Sequence, residues 1–111
     1  MAAEAAENLA RDGVHYEPRW FDEGEPGRIF ECTKGDDTFQ VGDIIYTLEG
    51  VRFGFEICED AWRKSKRPGY VLCERGVDLI MNPSASHYAM GKSSLREKEV
   101  VIEGSEKFKC V

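Results

Sequence analysis

A chain of 111 residues, 41% hydrophobic and 32% charged, has the size of one small domain and apolar material for one core, not two. Its formal net charge of -6 excludes the broad basic surface that a nucleic-acid backbone or an anionic membrane requires. No apolar run approaches the roughly 20 residues of a membrane span, and Met1 leads into Ala and Glu instead of a basic leader, so a soluble, cytoplasmic protein is expected.

Residues 1–10 are rich in Ala and Glu and favour helix by propensity, but Leu9 is their one large apolar anchor, so the helix is expected to be weakly held. Asp12 and Gly13 stop it. Residues 14–21 are too aromatic for a solvated linker, and Pro18 bars a regular helix or central strand, which predicts an ordered loop packed on the body of the fold. Residues 22–27, with Gly24, Pro26 and Gly27, read as an exposed turn.

From there the pattern becomes β-like: residues 29–33, a turn at 34–37, then 39–41 and 44–48. Glu49 and Gly50 connect the last of these to the strand 51–57, which predicts a hairpin. The basic cluster of Arg63, Lys64, Lys66 and Arg67 reads as a solvated loop, followed by a short helix over 69–75 that Gly76 ends. Residues 77–81 form a short apolar run of buried-strand type, which makes a β-α-β unit. A final helix is expected after Ser93 or Ser94, with Leu95, Val101, Ile102, Ser105 and Phe108 at roughly helical spacing.

This order places Cys58 at the carboxyl end of the first strand of the β-α-β unit and residues 82–87 at the carboxyl end of the second. That edge is where open α/β sheets bind ligands. A nucleophilic cysteine needs a base or a lowered pKa, donors for an oxyanion and residues that hold the substrate. The amides after Cys58 supply candidate donors, and Trp62, Ser84 and Ser86 are candidate holders. The plain alternative is a small apolar residue that ends a core strand. Glu59 and Asp60 read as solvated acids that would raise the pKa of a neighbouring thiol. Glu17, between Tyr16 and Arg19, is either a carboxylate that orders a site or half of a surface pair. His87 is a base or a packing histidine. Cys32, Cys73 and Cys110 have no donor-rich turn and read as structural. The four cysteines form no Cys-x-x-Cys pair and the histidines stand at no ligand spacing from them, so reduced thiols are expected, with neither zinc nor a disulfide framework.

Three stretches, residues 13–21, 52–62 and 82–87, together resemble the carbon–nitrogen hydrolase (nitrilase) superfamily. More narrowly, they are similar to the glutamine amidotransferase domain of glutamine-dependent NAD+ synthetases. The resemblance implies part of a four-layer α-β-β-α sandwich and a Glu-Lys-Cys triad that hydrolyses the side-chain amide of glutamine. Cys58 matches the nucleophile and Glu17 the second, site-ordering glutamate. Trp62 and Ser86 match positions lining the glutamine pocket, with Ser84 and Tyr16 beside them, and the amide of Glu59 matches an oxyanion donor. The ammonia is implied to pass to a synthetase domain, where ATP and Mg act; no cofactor is implied for residues 1–111 themselves.

The sequence departs from that pattern. The first glutamate has no counterpart, Ala6 stands in the place matched to the lysine, and the synthetase domain is absent. The expectation is therefore a partial domain, inactive or weakly active alone, that leaves apolar faces uncovered and self-associates as a homo-oligomer. Two other readings stay open: a nitrilase-type amidase or carbamoylase acting on small amides, and a non-catalytic assembly module.

Overall fold

A computed structural model describes residues 2–3, 6–11, 17–85 and 89–107. The fold is mixed α/β, with two three-stranded sheets. The first holds β1 (Ala2–Ala3), β2 (Ile29–Lys34) and β3 (Asp37–Gly42) in the order β1-β3-β2. β2 and β3 form an antiparallel hairpin in register from Ile29 opposite Gly42 to Lys34 opposite Asp37, while β1 runs parallel to β3. The start of the chain thus pairs as a strand where propensity favours helix. Beyond it Leu9 and Ala10 are buried, so this segment is anchored, not loose.

The second sheet holds β4 (Tyr46–Leu48), β5 (Val51–Phe55) and β6 (Leu79–Met81) in the order β4-β5-β6. The expected hairpin is present: β4 and β5 are antiparallel, turning at Glu49 and Gly50, both with positive φ. β5 and β6 are parallel and joined through α1 (Gly69–Glu74), which completes the β-α-β unit. Gly76, at φ +80, ends that helix where the sequence expects it. Leu72 of α1 forms the core with Val77 and Ile80, backed by Ile45, Tyr70 and Cys73. Gly54 on β5 is required by this packing, because a Cβ there would lie 2.7 Å from a Leu72 methyl.

Period-two alternation puts Val51, Phe53 and Phe55 on the face of β5 away from Leu72. Their partners in register are Leu48, Tyr46, Leu79 and Met81, so that whole face is apolar. Tyr46 stacks on Phe53 at 5.4 Å and meets Phe55 edge-on at 5.5 Å. Leu48 remains 66% exposed and Val51 46%.

The carboxyl-terminal helix is compound: α2 (Lys92–Leu95), a π-helical stretch Arg96–Ile102, then α3 (Glu103–Lys107). It begins after Gly91, so Ser93 and Ser94 lie inside it and do not cap it. Val100 is its buried apolar residue, while Leu95, Val101 and Ile102 are exposed. The π turn changes the residues-per-turn count and shifts the inward face by one position. Phe108 and Cys110 lie outside the described residues. No helix among the described residues is long and apolar enough to cross a membrane.

Candidate functional site

β5 and β6 end side by side, and the chain leaving each meets the other. After β5, Ile57 leads into a 3-10 turn, Cys58–Trp62. After β6, the Pro83 carbonyl accepts the Cys58 N–H at 2.9 Å, and the Asn82 side-chain amide donates to the Glu56 carbonyl. The Ser84 hydroxyl lies 3.7 Å from the Cys58 sulfur. Cys58 is only half-buried, and its backbone is left-handed, with φ +50. A residue with a Cβ adopts that conformation only when its surroundings impose it, and such strain concentrates at functional turns. The expected meeting of Cys58 with the turn after β6 is therefore found, in the part carried by Pro83 and Ser84.

The two acids after the cysteine behave differently. Glu59 is half-buried and pairs with Arg63 at 3.3 Å, one helical turn on. Asp60, expected to be solvated, is 2% exposed. One of its oxygens accepts the Asn8 N–H at 2.7 Å and the Asn8 side-chain amide at 2.9 Å. The other accepts the Ile57 N–H at 2.9 Å and the Glu7 N–H at 3.4 Å. Burial still wins over these bonds and raises its pKa. Sequence offers a partial signal for this role: an acid three residues into a helical turn can reach back to the N–H at the turn's start. The partners at positions 7 and 8 are too distant in sequence to be read from it.

Arg67 corrects the reading of the basic cluster as solvated. It is 5% exposed and grips the fully buried Glu56 with two bonds, at 2.9 and 2.6 Å. Glu56 also accepts the Gly69 N–H at 2.7 Å, at the start of α1, while Arg67 donates to the Val100 carbonyl at 3.2 Å. Two side chains thereby join β5, α1 and the carboxyl-terminal helix beneath the cysteine turn. Lys64 and Lys66 are exposed, as expected.

Trp62, half-buried, sits under the Lys92 ammonium at 6.0 Å and walls a cleft of about 190 Å³ whose rim carries Lys64, Glu99, Glu103 and Lys107. Cys58 and Ser84 are not among its lining residues. Glu17 begins a short 3-10 turn, Glu17–Arg19, and its side chain lies outside the description, as do Tyr16, Ser86 and His87 entirely. The aromatic stretch expected to pack on the body instead exposes Trp20 by 75% and Phe21 by 62%. Cys32 and Cys73 are free and half-buried.

No protein-family profile matches the chain. It is 30% identical over 108 residues to the glutamine-dependent NAD(+) synthetase of Homo sapiens and 31% identical over 97 residues to that of Drosophila melanogaster, taking in 88% and 78% of this chain. It spans only 15% and 12% of those relatives' own length. Among solved structures, a glutamine-dependent NAD(+) synthetase from Cytophaga hutchinsonii matches 96% of this chain, and 16% of its own, with a TM-score of 0.79 and 41% identity. One from Acinetobacter baumannii, in complex with ADP, matches 84% of this chain and 14% of its own with a TM-score of 0.63 and 26% identity.

Proposed function

Because the chain belongs, over the segment it spans, to the family of glutamine-dependent NAD(+) synthetases, we propose that Cys58 is the nucleophile of a site that takes nitrogen from glutamine. The observation that carries this reading is the placement of one sulfur atom: half-exposed, at the carboxyl edge of two parallel strands, on left-handed backbone and beside a serine hydroxyl. The Cys58 thiolate adds to the carboxamide carbon. The oxygen that gains charge is received by the Glu59 N–H, which lies ahead of the turn's first internal donor, the Asp60 N–H. Collapse breaks the C–N bond, and the nitrogen takes the proton that the Cys58 thiol gave up on becoming the thiolate and leaves as ammonia. Water then opens the glutamyl thioester, giving glutamate and the restored thiol.

Ser84 donates to the sulfur while it is charged, and the resemblance makes Trp62 a wall of the glutamine pocket. Glu17, Tyr16 and Ser86 hold the amino-acid end of glutamine, assignments that rest on the resemblance alone. In the whole protein the ammonia is passed to a synthetase domain that makes NAD(+). The apolar face of the β4-β5-β6 sheet supports a further part of this reading, since one half of a sheet-on-sheet core presents such a face. We therefore read the parent architecture as a four-layer α-β-β-α sandwich.

One observation favours a second reading, a module that holds an amide without cleaving it. Ala6, matched to the lysine of the pattern, brings no cation to the segment that Asp60 ties beneath the cysteine turn. The full chain incubated with glutamine or with simple aliphatic amides separates the possibilities. Weak ammonia release, faster from glutamine than from the other amides and lost in Cys58→Ala, together with stoichiometric labelling of Cys58 by a diazoketone analogue of glutamine while Cys32, Cys73 and Cys110 stay free, is the expected result. Equal rates on all amides would point to a small-amide hydrolase, and glutamine binding with neither ammonia nor label would establish the module.

A further inference from the structure

Asp60 is buried at the heart of the cysteine turn, yet no step of amide hydrolysis uses it. We propose that Asp60 is the positioning residue that holds the Cys58 sulfur against Ser84, by locking the left-handed turn onto the segment at Glu7 and Asn8; its meaning for catalysis rests on Cys58 being the nucleophile.

Left-handed backbone at a non-glycine residue has to be imposed by flanking restraints. The peptide unit between Ile57 and Cys58 is pinned at both ends, its carbonyl by the Asp60 N–H at 3.1 Å and its N–H by the Pro83 carbonyl at 2.9 Å. The preceding unit is pinned by the Asp60 carboxylate, which accepts the Ile57 N–H at 2.9 Å. Two of these three anchors belong to Asp60. That carboxylate is itself fixed by three donors from Glu7 and Asn8, so it cannot swing away with the turn. The same segment is held a second time, where Arg63, next after the turn, donates to the Leu9 carbonyl at 3.3 Å. Residues 6–9 and the cysteine turn therefore form one clasp, and the 3.7 Å spacing from Ser84 to the sulfur is its outcome.

The test is a double-mutant cycle read by alkylation of Cys58 with iodoacetamide across pH, followed by mass spectrometry. It needs no glutamine, so failure of the hydrolytic reading and failure of this inference are distinguishable. In the native background Ser84→Ala is expected to slow alkylation about fivefold at neutral pH, the worth of one hydrogen bond to the sulfur, and to raise the pH midpoint. In Asp60→Asn, which keeps the size but turns an acceptor into a donor facing N–H groups, the serine and sulfur separate and Ser84→Ala changes the rate less than about twofold. Val77→Ala, which loosens the core of Leu72, Val77 and Ile80, leaves the serine effect intact. If Asp60→Asn does not fold, Asn8→Ala is measured in its place, with a partial loss of the serine effect expected. The inference is overturned if Ser84→Ala has no effect in the native background, or has its full effect whichever residue occupies position 60 or 8.

Discussion

Glu7 carries its carboxyl, half-buried, into a neighbourhood of like charge. Burial first, then Asp43 and Asp60, push its pKa from 4.5 up to about 7, with Arg75 opposing. Below pH 4.5 the group is protonated whether the chain is folded or not. Between 4.5 and about 7 only the folded chain keeps the proton, so stability falls as pH rises through that window and the loss is complete above it. The melting temperature is therefore expected to drop across that range, and Glu7→Gln to remove this part of the slope. An unchanged slope in the variant would show that the carboxyl is not responsible. The consequence reaches the candidate site, because Glu7 is one of the residues tied to Asp60.

At the scale of elements, the joint between β5, α1 and the carboxyl-terminal helix is ionic. A buried pair stripped of one partner leaves an uncompensated charge, so Arg67→Ala is expected to cost about 3–5 kcal/mol in urea unfolding. Glu56→Leu with Arg67→Met, apolar and similar in volume, should recover most of that loss. Neither partner's role was visible in the chain. Glu56 and Arg67 sit 11 residues apart and Val100 a further 33 along, and nothing local tells a solvated arginine from one folded under a helix. What was legible follows short-range rules. The turn at Glu49 and Gly50, the stop at Gly76 and the apolar run at 77–81 each state their own conformation, so the β-α-β unit and the edge holding Cys58 could be read directly. The amino-terminal strand could not, because Ala2 and Ala3 pair with Gln40 and Val41 against their own preference. The inward face of the last helix could not either, since the π turn displaces it from simple periodicity.

For the whole molecule, the apolar side of the β4-β5-β6 sheet decides solution behaviour. A face built from Tyr46, Leu48, Val51, Phe53, Phe55, Leu79 and Met81, exposed to water at Leu48 and Val51, favours association. Sedimentation velocity is expected to show reversible self-association that grows with concentration. The cross-strand pair Leu48→Glu with Val51→Lys, opposite charges on facing positions, should return the chain to monomer with its circular dichroism unchanged. A native chain that stays monomeric at high concentration would remove the case for an uncovered core.

The left-handed bend beneath the sulfur also sets a limit on how this protein can be improved. A residue with a Cβ held at φ +50 forgoes roughly 1–2 kcal/mol that glycine would keep. Screens for heat resistance alone will therefore favour Gly at position 58 and discard the thiol in the process. Any hardier descendant has to find its gains elsewhere and tolerate an uncomfortable cysteine.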